Sequence, residues 1–537
     1  MSERTANPAE AGAAQAGQPW QRLDKRMLLV HPITEVVKFI PVLIGSVILG
    51  TSSGNHVWSI IPVVLIVGFA LTRWFTTTYR VGPTHVELRT GLLQRKKLSV
   101  PRSRIRSVDI EADLLHRVLG LAVLAIGTGQ QADSGEQFKL DALDARVVPP
   151  LRAALLAHAA GQVDEAEERK VPPENASIGL ATTRTPAHEI GHWRPAWVRY
   201  APLSLTGFAI VAPIVGVAFQ YGLGEIVFQS DAVHDVEDGG GAALALAGAA
   251  LLCAIVLLVS AAACAHYLTT YFGLRVSDDG KTLQLRHGLF TTRQITLDLA
   301  RLRGATVKEP LLLRLAGGAE LEAIMTGENP RQKILPQAPR RAVEHTLSHL
   351  LAPEKMRDND IPVLADAIPS GAGASDASPA PGSTPLIAHG SAARRRRHTR
   401  ALAPVAFLAV AMAYLGLAGA GYSPWWWLLP GLAAPVAIAL AEDRYRGLGH
   451  AVLSRTATSP TWLITRSGSL DRDRDCLEAP GVIGWTVRRT FFQRRAGVAT
   501  VVAATAAGKK RYAVVDIPID EAWELIEAVT PGRLGTR

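Results

Sequence analysis

Leu88-Arg89-Thr90-Gly91-Leu92-Leu93 decides how this chain of 537 residues is organised, because its pattern returns twice. Leu285-Arg286-His287-Gly288-Leu289-Phe290 repeats it closely, and Ile464-Thr465-Arg466-Ser467-Gly468 keeps its centre. Counting from each glycine tests the register. Twenty-six residues beyond Gly91, Gly288 and Gly468 stand Arg117, Arg314 and Arg494, and three residues further stand Gly120, Gly317 and Gly497. Two coincidences in three places mark three copies of one unit, and repetition at a fixed register is the signature of a repeat architecture. The arginines and second glycines predict a turn that each copy requires.

Around the first glycine, 86–89, 92–100 and 104–110 alternate apolar and polar residues at the two-residue period of half-buried strands. Gly91 lies between two of them, where a tight turn can use a positive φ. Further strands are expected at 123–127 and 137–140, and the copies end in helical runs at 146–157, 340–351 and 519–529. Short antiparallel strands closed by one helix predict a small sandwich or partly open barrel.

Each copy follows paired apolar runs: 36–50 with 57–72, 202–221 with 241–268, and 401–421 with 424–441. These account for 48% apolar and only 19% charged residues, and each pair reads as a transmembrane hairpin. The first pair is short against the roughly 20 residues a span needs. Lys and Arg flank the pairs and vanish within them, between Lys38 and Arg73, Arg199 and Arg275, and Arg400 and Arg444. By the positive-inside rule the hairpin tips face outside, including the acidic one with Glu225, Asp231, Asp235, Glu237 and Asp238, and both termini are cytoplasmic. Pro424 and Trp425, Trp426 and Trp427 open the last span as interfacial anchors.

The expected fold is therefore an α+β membrane protein with six transmembrane helices in three hairpins. The boundaries read as a disordered tail to 20, hairpins at 21–75, 196–270 and 399–443, β domains at 76–160, 271–353 and 444–532, a linker at 161–195 and a disordered basic linker at 354–398. The net charge of +10 then belongs to membrane anchors, so nucleic acid is not an expected partner. Cys253 and Cys264 are eleven residues apart on one helix and Cys476 is alone, which leaves no disulfide framework or cysteine zinc site. Residues 1–18 are polar and carry no readable signal peptide.

Three segments invite a chemical reading. His188-Glu189-Ile190-Gly191-His192 fits H-E-x-x-H, in which two imidazoles one helical turn apart bind zinc and the glutamate activates water. Pro186, Gly191 and Pro195 leave such a helix barely two turns, so a linker with interfacial Trp193 and Trp197 is preferred to a zinc peptidase. Arg394, Arg395, Arg396 and Arg397 are placed at the inner leaflet, as a topology anchor or a grip on anionic headgroups. Arg95, Lys96, Lys97, Arg102, Arg104 and Arg106 could bind phosphate but read better as protection of a strand edge. A transporter is disfavoured because the spans hold no carboxylate or arginine near their centres.

Beyond a hairpin, the first copy runs Tyr79-Arg80-Val81, Leu88 to Leu93, Val100-Pro101-Arg102, Arg104-Ile105-Arg106-Ser107-Val108-Asp109 and Leu114-Leu115-His116-Arg117-Val118-Leu119-Gly120. This order resembles the bacterial pleckstrin-homology (PH) domain of the YdbS/YdbT-like membrane proteins. The third copy is similar through Val482-Ile483-Gly484-Trp485 and Phe491-Phe492-Gln493-Arg494-Arg495-Ala496-Gly497. The second departs, with Leu299-Ala300-Arg301 in place of Val100-Pro101-Arg102. The resemblance implies a seven-strand sandwich with a C-terminal helix in each copy, and an association with envelope stress and antimicrobial-peptide tolerance. A non-enzymatic multi-pass protein of the cell membrane is expected, with no cofactor and cytoplasmic PH-like domains. Its expected partners are the lipid bilayer and a protein, either another PH-like membrane protein or a second copy of the chain.

Overall fold

The computed structural model describes residues 20–155, 188–352 and 382–532, with breaks inside them; the longer ones are most of 31–56 and all of 92–95, 128–137, 224–239, 418–423 and 456–458. Most of the expected first span at 36–50, the acidic tip, Arg95, Arg106 and most of both linkers lie outside the described residues. Two compact units divide the chain inside its second copy: Met1–Pro186 with Phe272–Leu299, and Ala187–Tyr271 with Ala300–Arg537.

In the first unit, β1 (Gln21–Arg22), β2 (Thr78–Val81), β3 (His85–Thr90) and β4 (Lys96–Pro101) form one antiparallel sheet in that order. Helix α1 (Val57–Thr76) leads into β2. After β5 (Ser107–Ala112) comes the short helix α2 (Leu114–Val118), then β6 (Leu121–Gly127), β7 (Phe138–Asp144) and a helix over 148–155, α3. Alternation does what the sequence predicts: Val86 and Leu88 of β3 turn inward against Val108, Leu124, Ile126 and Leu140, and α3 closes the core with Val148 and Leu155. With β8 (His188–His192) assigned to the other unit, the first half of copy two supplies β9 (Arg275–Asp278), β10 (Thr282–His287) and β11 (Thr292–Asp298). These extend the second sheet of copy one in the order β7-β6-β5-β11-β10-β9.

The second unit repeats the arrangement one step along. Strands β12 (Leu302–Pro310), β13 (Gly318–Met325) and β14 (Arg331–Pro339) share a sheet with β15 (Gly449–Leu453), β16 (Trp462–Gly468) and β17 (Asp471–Glu478), in the order β14-β13-β12-β17-β16-β15. The last half, β18 (Val482–Arg488), β19 (Val498–Thr505) and β20 (Arg511–Pro518), forms a three-stranded sheet. Among the described residues each copy has six strands in two halves, and β1, paired with β2, brings the first copy to the seven that the resemblance implies. Short helices α6 (Leu311–Leu315) and α10 (Phe491–Arg495) match α2, and α7 (Arg340–Leu350) and α11 (Ile519–Val529) match α3.

The repeated glycines are backbone requirements. Gly91, Gly288 and Gly468 have φ of 110, 117 and 106°, and Gly120, Gly317 and Gly497 have 68, 73 and 69°. The second set ends the short helices, and its carbonyls accept hydrogen bonds from the N–H groups of Ala145, Arg340 and Ile519 at 2.8, 2.9 and 3.2 Å. That bond ties each short helix to the start of the closing helix.

Among the described residues three helices are long and apolar enough to cross a membrane: Ala245–Tyr271, Gly390–Leu417 and Trp425–Arg446. There are four if the bent pair Pro195–Leu203 and Thr206–Val217, at 58°, is one span. The first belongs to α5 (Gly240–Tyr271), which packs on α4 (Thr206–Ala218). A Cβ on Gly207 of α4 would lie 2.1 Å from the carbonyl oxygen of Val259, so the two helices meet backbone to backbone there. Leu246, Leu251, Leu252 and Leu257 of α5 are exposed, a face suited to lipid. The pair α8 (Gly390–Leu417) and α9 (Leu428–Arg446) runs antiparallel, since Arg394 near the start of one donates to Glu442 near the end of the other at 3.0 Å.

The structure corrects two details of the linkers. Residues 390–398 are the first turns of α8, not disordered linker, because the basic run has carboxylate partners that hold it in a helix. Trp197 is buried rather than interfacial: the 3-10 segment Pro195–Leu203 packs Trp197, Tyr200 and Ala201 beneath α5 and β14.

Candidate interaction site

Successive copies join by strand pairing at two places among the described residues. At the first joint β5 pairs with β11, and at the second β12 pairs with β17. Counted from the signature glycines, the register is the same. Glu111, twenty residues past Gly91, faces Arg293, five past Gly288; Lys308, twenty past Gly288, faces Asp473, five past Gly468. One residue along, Glu309 faces Arg472. All three facing charged pairs are opposite in sign, the cross-strand arrangement that stabilises a given register. Arg293 and Glu111 form an ion pair at 3.6 Å.

The signature arginines belong to these joints. Arg117 of α2 reaches into the next copy and donates from Nη1 to the carbonyl of Leu289 at 2.8 Å. Arg314 of α6 makes the same contact with the carbonyl of Ser469 at 3.3 Å. Both acceptors are the residue after the next copy's signature glycine, so one arginine position serves as a staple across both joints. Arg314 also donates to both carboxylate oxygens of Asp443 in α9, at 2.9 and 3.0 Å. Arg472 and Ser469 bind the same carboxylate at 2.9 and 2.8 Å. The second joint is thereby fastened to the end of an apolar helix.

One face of that joint carries an ionic network. Glu322 pairs with Lys308 at 2.6 Å and Arg331 at 3.0 Å, Glu320 pairs with Lys333 at 2.7 Å, and Lys509 pairs with Asp473. Asp475 accepts from Thr306 across the joint at 2.6 Å. Burial pushes the Asp475 carboxyl up to about 6, against the opposing pull of Lys509 and the Thr306 hydroxyl. Beside it burial raises the Cys476 thiol to about 12, so Cys476 packs rather than reacts.

The other sequence candidates land elsewhere. His188–His192 is strand β8, not a helix. Residues four apart on a strand are separated by about 13 Å, against about 6 Å along a helix, so the zinc geometry of the H-E-x-x-H pattern does not form. The His188 ring stacks on His349, with centroids 5.4 Å apart, and Arg194 donates to His192 Nε2 at 3.1 Å. Of the basic run, Arg396 and Arg397 point at the fully buried carboxylate of Asp516, Arg394 pairs with Glu442, and Arg395 is exposed. Lys96 and Lys97 lie on the outer strand β4, with Lys97 at 2.8 Å from Glu87, while Arg102 donates to the carbonyl of Ala154 at 3.1 Å.

Sequence reasoning missed a buried histidine pair. His389 Nε2 lies 3.0 Å from His450 Nδ1, and His389 Nδ1 lies 2.8 Å from the Val515 carbonyl. Burial, then the neighbouring His389, pushes His450 down to about 4, so it is neutral at physiological pH. The pair is separated by 61 residues and no local motif announces it.

Sandwich halves shared between successive copies, on exposed apolar helices, define a membrane-associated repeat protein built from one β module. The model of the family described as bacterial PH domain matches residues 34–159 and 217–351. Those two regions belong to the bacterial PH domain family, and the third copy shares their order of strands, short helix and closing helix. No curated protein and no solved structure matches the chain.

The three arginines give a graded test. Arg314→Ala removes a two-pronged carboxylate contact and a staple, and is expected to cost about 2–3 kcal/mol. Arg117→Ala removes a single exposed bond, about 1 kcal/mol. Arg494→Ala should change stability by less than about 0.5 kcal/mol, because Arg494 is exposed and its guanidinium has no partner among the described residues. Denaturant unfolding of the full chain in detergent reads the order; equal losses at 314 and 494 would refute the staple.

Proposed function

We propose that the chain is a non-enzymatic scaffold of the cell membrane, with six spans in three hairpins carrying three PH-type modules on the cytoplasmic side. The YdbS/YdbT-like resemblance points its role toward envelope stress and antimicrobial-peptide tolerance. One observation supports this reading above the rest: the modules recognise one another by strand pairing in a repeated register, with charges that match across each joint. Strand addition is a recognition mode that needs no catalytic pocket, since main-chain hydrogen bonds supply affinity and side chains supply specificity. The exposed apolar helices and the flanking cations support the membrane placement.

The test is complementation. Cells lacking the gene are expected to lose tolerance to a cationic antimicrobial peptide, and both the wild-type chain and the His188→Ala/His192→Ala variant should restore it fully. Restoration by the wild type alone would favour a metal-dependent activity. Unchanged tolerance in the deletion strain would reject the envelope role.

A further inference from the structure

The repeat has more joint-forming edges than joints. In copies one and two the first strand of the second half, β5 or β12, is covered by the next copy. In copy three that strand is β18, which pairs with β19 and is otherwise the edge of its sheet among the described residues. Two independent features show the same vacancy. Gly304 touches the neighbouring copy so closely that a Cβ would lie 2.0 Å from the Cys476 carbonyl oxygen; Gly484, at the same position of copy three, has nothing within 4 Å. Arg117 and Arg314 are engaged by the following copy, while Arg494 is exposed and its guanidinium makes no hydrogen bond or ion pair among the described residues.

β4 is likewise an edge of its sheet among the described residues, and of the type that covers β5 and β12 elsewhere. Geometry alone would let β18 of one molecule take β4 of the next. Charge forbids it. In the register of the joints Arg488, twenty residues past Gly468, would face Lys96, five past Gly91, with Arg489, Arg494 and Lys97 close by. Like charges placed opposite each other on paired strands are destabilising, and charged edges are a known guard against stray association.

We propose that the free edge of β18 docks the outer strand of an acidic PH-type half-sheet on a partner protein, in the register of the two joints, and that its arginines bar this chain's own β4 from that place. The partner strand carries carboxylates opposite Arg488 and Arg489, and its turn carbonyl accepts from Arg494 as Leu289 and Ser469 do for Arg117 and Arg314. The inference rests on the scaffold reading, and its assays read binding at the edge independently of cell survival.

The test uses the full chain in detergent and two fluorescent peptides. One carries the sequence of residues 469–478 with Arg472→Glu; the other carries residues 94–101. The acidic peptide should bind at least ten-fold more tightly than the basic one. Gly484→Val should abolish its binding, Arg494→Ala should weaken it about five-fold, the loss of one hydrogen bond, and Arg488→Glu/Arg489→Glu should reverse the preference. Because isolated strands bind weakly, a second arm measures mass. The Arg488→Glu/Arg489→Glu chain should form head-to-tail oligomers that Gly484→Val prevents, while the wild type does not assemble through this edge. Wild-type assembly that Gly484→Val blocks would overturn the proposal. So would a reversed-charge chain that stays unassembled together with peptides bound equally or not at all. Either result would leave the complementation test of the scaffold reading untouched.

Discussion

Asp516→Asn should destabilise the second unit by about 3–4 kcal/mol, the typical penalty for removing one partner of a buried ion pair. The Asp516 side chain is 1% exposed, and its Oδ1 accepts from Arg396 Nε at 3.1 Å and Gln493 Nε2 at 2.9 Å. Arg397 approaches Oδ2 at 2.8 Å as an ion pair. Two guanidinium groups at the start of α8 therefore rest on one carboxylate in β20, which fastens an apolar helix to the third module. Asparagine keeps the shape and tolerates the φ of +60° at this position, so the loss isolates the charge. Asp516→Ala should lose about 1 kcal/mol more through backbone strain. The expected readout is a lowered unfolding midpoint in detergent, with faster tryptic cleavage after Arg396 and Arg397. Adding Arg396→Met and Arg397→Met to Asp516→Asn should recover most of the loss, because the uncompensated charges are then gone. If Asp516→Asn unfolds like the wild type, these arginines are held by something other than this carboxylate.

That ion pair also marks what local sequence could and could not reveal. Apolar runs at 241–268, 401–421 and 424–441 announce helices because their composition is a property of neighbours in the chain. The strands around Gly91 announce themselves through alternation, and the glycines through the left-handed conformation that their turns demand. The attraction between Arg396 and Asp516 spans 120 residues and leaves no periodic trace. The basic run therefore looks like a lipid-facing cluster until a buried carboxylate is brought beside it. His188–His192 misleads for a related reason: its pattern specifies chemistry only on a helix, and the segment is a strand.

The arginines twenty-six residues past each glycine were the readable trace of the joints, although their sequence suggests a turn within one copy. Arg117 and Arg314 find their partners in the next copy because a half-sheet edge is completed more readily by an identical neighbour than by a new strand. Unpaired backbone N–H and C=O groups at an edge seek any strand of suitable register. A chain that repeats its module carries that strand already. The same spacing therefore encodes two things: the turn that ends each short helix, and the reach of a guanidinium into the neighbouring hairpin.

Gly304→Val should open the second joint while leaving each half-sheet folded, and Gly484→Val should leave stability unchanged. At residue 304 the backbone has φ of +150° and a Cβ would lie 2.0 Å from the Cys476 carbonyl oxygen and 3.2 Å from the Cα of Leu477. Neither obstacle is a flexible side-chain tip; both belong to β17, so the strand itself must withdraw. Withdrawal breaks the pairing from Gly304–Leu477 through Pro310–Asp471 and separates Thr306 from Asp475. A loss of at least about 3 kcal/mol is expected from strain and lost packing together. Hydrogen exchange should report it as new exposure of the facing edges of β12 and β17, with amides between β12 and β13 still protected. The Asp475 carboxyl, freed from burial, should return from about 6 toward the ordinary aspartate range. Its raised value in the folded joint means that the joint contributes stability at low pH that is lost as pH rises through about 4 to 6. In Gly304→Val that dependence should flatten. An unaltered joint in Gly304→Val would mean that the close approach at Cys476 does not set the register, and the equivalence of position 484 as an empty docking edge would lose its footing.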